Sequence, residues 1–268
     1  MATATAPAPA RSYAFRDSMT MLRRNLTRMR RYPSMTVQIV TLPVLLLLLF
    51  VYVFGGAIGE GIGAGDRGDY VNFLVPGIIV MAVTYGTIPI AVSVCSDMTE
   101  GIINRFRTMA ISRSSVLTGH VLGNMVQIVC ILALVTGVAY AIGFRPNATA
   151  VEWAAAMGLL LLLAFGLSWL SAAMGLRAKT VESASNAPMP LTYLPFLGNT
   201  IVTPESMPTG LRWFAEYQPF TPINETLRGL LLGTGIGNSA WISLAWCVGL
   251  ALVGYLWARS AFRKGAER

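Results

Sequence analysis

The sequence is poor in charged residues and in the side chains on which most enzymes rely. Charged residues make up 12% of the chain and hydrophobic residues 54%, whereas charged residues are about 25% of a typical soluble domain. His120 is the single histidine, and the three cysteines are scattered through apolar stretches. Neither of the two lysines, Lys179 and Lys264, follows the glycine frame of a phosphate-binding loop. These absences exclude a multi-histidine metal site, a disulfide framework and an ATP-hydrolysing loop, so no cofactor is expected in this chain.

Long apolar runs dominate what remains. A helix needs about 20 apolar residues to cross a bilayer, and a charge-free core helix of a soluble protein rarely exceeds about 14 residues. The alternating segments of a β-barrel are absent. The pattern therefore predicts an all-α integral membrane protein with six transmembrane helices. Six charge-free runs carry this prediction: residues 32–59, 70–96, 114–144, 153–176, 183–204 and 229–258.

The positive charges predict the orientation of these helices. With the N-terminus inside, 16 of the 20 lysines and arginines are cytoplasmic, and only Arg67, Arg145, Arg212 and Arg228 are outside. Short loops on the cytoplasmic side of membrane proteins carry such an excess, so both termini are predicted to be inside. This bias and anionic lipid headgroups explain the net charge of +8 without a nucleic-acid partner.

The region before the first run divides into two parts. Residues 1–10 form an Ala/Thr/Pro tract that is too poor in large side chains to fold, and it is predicted to be disordered. In residues 11–32, apolar side chains recur every three or four positions among arginines, which indicates an amphipathic helix lying in the headgroup plane. The alternative is an arginine cluster that only sets topology. Residues 33–268 are expected to form a single six-helix domain.

Two of the six predicted helices are rich in proline, glycine and small polar residues. They are helix 2, at about residues 73–95, and helix 5, at about 186–202. Such residues let helices approach closely or line an aqueous route. Because the six runs lack acidic and basic residues, coupling to protons or sodium is not expected, and His120 is interpreted as an interfacial packing residue. The candidate pathway-lining residues are Thr84, Tyr85, Thr87, Tyr193, Asn199 and Thr200.

Two polar segments carry more information. Residues 97–113, on the cytoplasmic side, predict a short helix with an apolar edge among arginines, a surface that suits docking to a soluble partner. The alternative is a solvated loop beside the headgroups. Residues 203–233 are too polar to span a membrane and too apolar for a free loop. They predict two short re-entrant helices in the outer leaflet, broken at Pro219; the alternative is an ordinary outer loop.

These two segments carry a family resemblance. The loop pattern E-G-x-x-x-R-x-x-x-x-x-x-S-R, from Glu100 to Arg113, resembles the cytoplasmic coupling loop of ABC-2 type permeases of the daunorubicin-resistance or multidrug kind found in actinobacteria. The stretch FAEYQPFTPINETLRGLLLG, from Phe214 to Gly233, is similar to the signature before their last helix. The resemblance covers nearly the whole chain. The loop departs from the E-R-E-x-G-T-L-E-R pattern of many relatives, because Gly101 is followed by Ile-Ile-Asn-Arg.

The resemblance implies a non-enzymatic permease subunit of an exporter in the bacterial inner membrane. Two permeases, identical or paralogous, would pair with two copies of a separate ATPase that binds ATP and magnesium. They would move a hydrophobic or amphiphilic drug or lipid outward. The alternatives are a membrane-embedded lipid-handling enzyme and a stand-alone channel or carrier. The implied ATPase-coupling residues are Glu100, Gly101, Arg105, Phe106, Arg107, Met109, Ile111 and Arg113, and the implied outer-gate residues are Phe214, Gln218, Pro219, Pro222 and Arg228.

Overall fold

A computed structural model describes residues 33–55, 67–100 and 113–264, together with the isolated positions Met19, Arg23, Thr27 and Arg31. Every regular element in this part of the chain is a helix, and it contains no strand. Two short 3-10 helices, Leu194–Leu197 and Pro204–Ser206, lie among the α-helices. The α-helices are α1 (Pro33–Tyr52), α2 (Arg67–Tyr85), α3 (Ile88–Thr99), α4 (Arg113–Ala141), α5 (Ala150–Arg177), α6 (Val181–Asn186), α7 (Met189–Tyr193), α8 (Thr209–Tyr217), α9 (Phe220–Leu232) and α10 (Ser239–Lys264).

Four stretches are long and apolar enough to cross a membrane. They are Gly68–Thr99, which runs through α2 and α3, and Leu117–Ala141, Ala150–Arg177 and Ser239–Arg263. They correspond to the predicted second, third, fourth and sixth helices, and the chain is a multi-pass membrane protein. The apolar part of α1, Val37–Tyr52, is shorter. The first and fifth crossings, and the orientation, stay predictions.

The predicted second helix is not continuous. It is divided into α2 and α3 by a turn at Gly86 and Thr87. Pro89 lies in the first turn of α3, where its missing N–H group costs nothing, whereas inside a continuous helix it would remove one hydrogen bond. A Cβ atom at Gly86 would lie 3.1 Å from Cδ1 of Ile131, so the turn also packs tightly against α4.

The prediction of a continuous fifth helix at residues 186–202 is wrong. The chain there forms α6, α7 and the 3-10 helix Leu194–Leu197, and it is extended at Gly198. Pro188, Pro190 and Pro195 each lack the N–H group that a longer α-helix would need. The break leaves the backbone carbonyls of residues 198–200 free to accept hydrogen bonds from other elements.

Helix α5 lies at the centre of the bundle and packs against α3, α4, α9 and α10. Two glycines allow its backbone to approach that of α10. A Cβ atom at Gly166 would lie 3.0 Å from the backbone nitrogen of Ala251. One at Gly254 would lie 2.8 Å from the backbone nitrogen of Leu170. Small residues at a crossing are a common basis of helix association in membranes, because lipid gives helices little hydrophobic reason to associate.

The outer faces of α1, α4 and α10 carry large exposed apolar side chains. Leu45, Leu134 and Leu252 are each more than half exposed. In water such continuous apolar faces would be unfavourable, whereas hydrocarbon chains cover them at no cost. Trp241, near the start of α10, is 74% exposed, as is common for tryptophans at a membrane interface.

Candidate functional site

A row of polar side chains lies along one face of α9 and the turn before it. We call it the α9 polar stripe: Gln218, Thr221, Asn224, Glu225 and Arg228. Its members recur at three- or four-residue spacing, so they share a face of the helix. All except Glu225 are buried, and the stripe faces residues 198–200, the turn that follows the 3-10 helix Leu194–Leu197.

Arg228 makes the most extensive contacts of the stripe. Its Nε donates to the backbone carbonyl of Phe73 in α2 at 3.0 Å, and its guanidinium lies 3.7 Å from the centroid of the Phe73 ring. Its Nη2 donates to the carbonyl of Asn199 at 2.6 Å and to that of Thr200 at 3.5 Å. Pro76 lies inside α2 and has no N–H, so the carbonyl of Asn72, next to Phe73, lacks its helical hydrogen bond. Arg228 thus joins α2 to the break in the fifth apolar run.

The charge of Arg228 is retained in this buried position, which lies outside the four spans. Burial lowers the pKa of its guanidinium to about 10, and the nearby carboxylate of Glu225 opposes that shift. A pKa of about 10 keeps the group protonated at neutral pH. Its hydrogen bonds are therefore charge-assisted, and these are stronger than neutral ones.

The other residues of the stripe contact residues 198–200 through their side chains. Asn224 donates from Nδ2 to Oγ1 of Thr200 at 2.9 Å, and Asn199 donates from Nδ2 to Oε1 of Glu225 at 3.5 Å. A Cβ atom at Gly198 would collide with Nε2 of Gln218. Each of residues 198–200 therefore contacts α9 or the turn before it.

Several polar atoms in this interface have no protein partner. They are both amide atoms of Gln218 and the side-chain oxygens of Asn199 and Asn224. Buried amides without partners are costly, more so where no water is at hand. Four of the seven buried side-chain polar atoms without a partner in the described residues lie in this interface.

A second polar cluster lies between α3, α4 and α5. Nε2 of His120 and Oδ2 of Asp97 are 3.0 Å apart, and Asn124 donates from Nδ2 to Oγ of Ser168 at 3.0 Å. All four side chains are buried. Asp97 follows the predicted charge-free run 70–96, and α3 continues past it to Thr99.

The six pathway candidates do not line one common surface in a single chain. The hydroxyls of Thr84 and Thr87 are buried and donate to the carbonyls of Val80 and Thr84 in their own helical turn. Asn199 and Thr200 belong to the contacts of the α9 polar stripe. Tyr85 is half-buried, whereas Tyr193 is 54% exposed. A role in lining a route stays a prediction for all six.

Four of the five gate candidates lie at the junction of α8 and α9. Helix α8 ends at Tyr217, and Pro219 is the N-cap of α9, so the two helices break where the sequence predicts. Gln218 and Pro222 are buried, and Phe214 is exposed. Arg228 lies two turns further along α9. Sequence reasoning missed Thr221, Asn224 and Glu225, although their spacing from Gln218 and Arg228 is a readable signal.

Most of the coupling candidates lie outside the described residues. Glu100 is the C-cap of α3, and its Oε1 accepts a hydrogen bond from Oγ of Ser96 at 2.7 Å. Arg113 is the first residue of α4. Their role stays a prediction. The remaining candidates, about which the structure gives no information, are Gly101, Arg105, Phe106, Arg107, Met109 and Ile111.

Comparison with known proteins gives consistent results. The sequence profile described as ABC-2 type transporter matches residues 17–232. The chain is 32% identical over 247 residues to the daunorubicin resistance ABC transporter permease protein DrrB1 of Streptomyces coeruleorubidus, covering 91% of this chain and 84% of that protein. It is 28% identical over 170 residues to the inner membrane transport permease YadH of Escherichia coli K12, covering 61% and 65%. It is 20% identical over 238 residues to the probable doxorubicin resistance ABC transporter permease protein DrrC of Mycobacterium tuberculosis, covering 88% and 85%.

Proposed function

Because the chain belongs to the ABC-2 type transporter family, we propose that it is the membrane subunit of an ATP-driven exporter in the bacterial inner membrane. Two copies, or one copy and a paralogue, enclose the route between them. A separate ATPase subunit binds ATP and magnesium and supplies the energy. The sequence supports this division of labour, since it contains no phosphate-binding loop.

The proposed substrate is a hydrophobic or amphiphilic molecule, such as a drug or a lipid. The names of two relatives, which refer to daunorubicin and doxorubicin resistance, support this class. So does the small number of ionisable side chains in the four spans, which suits a cargo that partitions into the bilayer. Daunorubicin is therefore the probe of choice in the experiments below.

In the proposed topology α1 and the broken segment 181–202 make the first and fifth crossings, and both termini are cytoplasmic. Helices α8 and α9, of 9 and 13 residues, are each shorter than the about 20 residues that a crossing needs. They therefore enter the outer leaflet and return. The aromatic pair Trp213 and Tyr217, each 66% exposed, suits the lipid interface.

We propose that α8 and α9 form an external lid over the route. The observation that carries this is the contact of the α9 polar stripe with α2 and with residues 198–200, which joins the lid to α2 and to the break in the fifth apolar run. On the opposite side of the membrane, the loop between α3 and α4 docks the ATPase.

Co-expression tests the central part of this proposal. An affinity-tagged form of the chain is purified in mild detergent together with a candidate ABC ATPase subunit from the same organism. The proposal expects a stable complex with the wild-type loop and loss of the ATPase when Phe106 is replaced by Asp, since losing a central aromatic anchor costs about 2 kcal/mol or more. Phe54, replaced by Asp, is a control outside the loop for effects on insertion. Equal recovery of the ATPase with Phe106→Asp and wild type would contradict the assigned docking site.

A further inference from the structure

We propose that Asp97 and His120 form a latch that holds α4 against the other helices, so that movement of the loop between α3 and α4 reaches the centre of the bundle. The latch rests on the proposed function, because it takes the docking of an ATPase on that loop as its premise. Asp97 lies two residues before the end of α3, and His120 lies two turns after the start of α4. The pair therefore closes the base of the loop.

The surroundings of the pair exclude water. Asp97 is 3% exposed and His120 7%. An apolar cluster from α3, α4, α5 and α10 lies beside them, including Val94, Val121 and Trp169. In such surroundings the attraction between imidazole and carboxylate is weakly screened, and loss of one partner leaves the other buried without this contact.

The helices on the two sides of the latch differ in how firmly they are packed. A Cβ atom at Gly175 of α5 would collide with backbone atoms of Ala91 in α3, so α3 and α5 touch backbone to backbone. Helix α4 instead meets the turn before α3 through side chains, since a Cβ atom at Gly86 would lie 3.1 Å from Cδ1 of Ile131, and a Cβ atom at Gly137 of α4 would meet no atom within 4 Å. Helices α3 and α5 therefore behave as one block, and α4 packs beside it.

Two of the polar contacts among the described residues join α4 to this block. Asp97 of α3 contacts His120, and Ser168 of α5 accepts a hydrogen bond from Asn124. His120 and Asn124 are four residues apart and share one face of α4. Without the latch, movement of the loop can separate α4 from α3; with it, the same movement has to displace the α3–α5 block and hence α10, which packs on α5.

A buried ionisable pair suits this role better than apolar residues do. Apolar residues of similar size would avoid the desolvation cost, whereas a directional contact fixes the register of α3 against α4. Ionisable residues within membrane spans are expensive, and their presence points to a function. Transmission of loop movement is the function that the position of this pair allows.

The test compares the separation of the two helix ends with the coupling of the transporter. Spin labels are placed at Thr99 and Ser114 in a cysteine-free form of the chain, and their distance distribution is measured by electron paramagnetic resonance, for the chain alone and for the complex with ATPase, ATP and vanadate. The variants are Asp97→Asn, Asp97→Ala, the exchanged pair Asp97→His with His120→Asp, and Ser96→Ala as a control. Ser96 is half-buried, and its bond is local, to Glu100. The same variants, without labels, are assayed for daunorubicin transported per ATP hydrolysed.

The latch predicts a narrow distribution for the wild type and Ser96→Ala and a broad one for Asp97→Ala, with the exchanged pair close to the wild type. It also predicts that Asp97→Ala retains the ATPase and lowers transport per ATP roughly tenfold, the size of a coupling of about 1.4 kcal/mol. An unchanged distribution or unchanged transport per ATP in both Asp97 variants would overturn the proposal. If no ATPase binds the wild type, the proposed function fails instead, and the distances in the chain alone still decide whether the latch exists.

Discussion

Replacing Arg228 with methionine should destabilise the protein, because it removes the buried guanidinium that joins α9 of the proposed lid to α2 and to residues 198–200. Two strong hydrogen bonds are lost, at 3.0 Å to the carbonyl of Phe73 and at 2.6 Å to that of Asn199. Hydrogen bonds to a charged group contribute about 1.5–3 kcal/mol each in soluble proteins, and polar contacts between membrane helices average about 0.6 kcal/mol. A loss of about 2 kcal/mol lies between these limits.

The assay is thermal unfolding of the purified chain in detergent. A loss of about 2 kcal/mol lowers Tm by roughly 4–8 °C for a chain of this size. Arg228→Lys should fall between wild type and Arg228→Met, since an ammonium keeps the charge but cannot reproduce the planar fork of donors.

Arg212→Met is the matched control. Arg212 bonds Glu216, one turn away on the exposed face of α8, at 2.7 Å, and such pairs in a helix contribute about 0.3–0.5 kcal/mol. Its Tm should therefore stay within about 2 °C of the wild type. Equal decreases for Arg228→Met and Arg212→Met would refute the reasoning, because they would mean that the buried contacts of Arg228 contribute no more than an exposed pair.

Three further predictions concern packing and topology. Gly77→Val should reduce the yield of folded protein sharply, since a Cβ atom at Gly77 would lie 2.6 Å from Cγ2 of Thr200. Size-exclusion profiles check this. A profile like that of the wild type would contradict the close approach of α2 to residues 198–200. Gly198→Ala should destabilise the chain less than Gly77→Val, because the atom it meets is the end of the flexible Gln218 side chain; an equal loss of folded yield would contradict that difference. A single cysteine at Asn147 should react with an impermeant thiol reagent in intact cells and one at Thr108 should not, and labelling at Thr108 would contradict the proposed orientation.

The four long spans could be predicted from the sequence because each has a simple physical basis. Backbone N–H and C=O groups cannot be left without hydrogen bonds in lipid. A charge-free stretch of the required length therefore forms a helix. The boundary between α8 and α9 was equally readable, since Pro219 follows a short amphipathic segment and can only begin a new helix. The apolar length of residues 186–202 predicts a continuous helix, but three prolines without N–H groups interrupt it.

The candidate site was less predictable because it depends on contacts between distant segments. Composition identifies Asn199, Thr200 and Arg228 as polar residues of interest, but not that Arg228 spans 155 positions to reach the carbonyl of Phe73. The sequence places Asp97 in the cytoplasmic segment 97–113, because acidic residues usually end a span. Its partner His120 lies 23 positions away. Such pairings arise from helix packing, which a single sequence does not encode in any local pattern.

The measurement that tests the account most directly is ATP-dependent transport by the purified complex. The chain and an ABC ATPase subunit are reconstituted into liposomes, and accumulation of daunorubicin is followed by its fluorescence with ATP and magnesium on the side of the ATPase. The account predicts accumulation that requires both subunits and hydrolysable ATP, and that declines when Gln218 is replaced by Ala while the complex stays intact. Accumulation by the chain alone, without ATPase or ATP, would contradict the claim that this protein is the membrane subunit of an ATP-driven exporter.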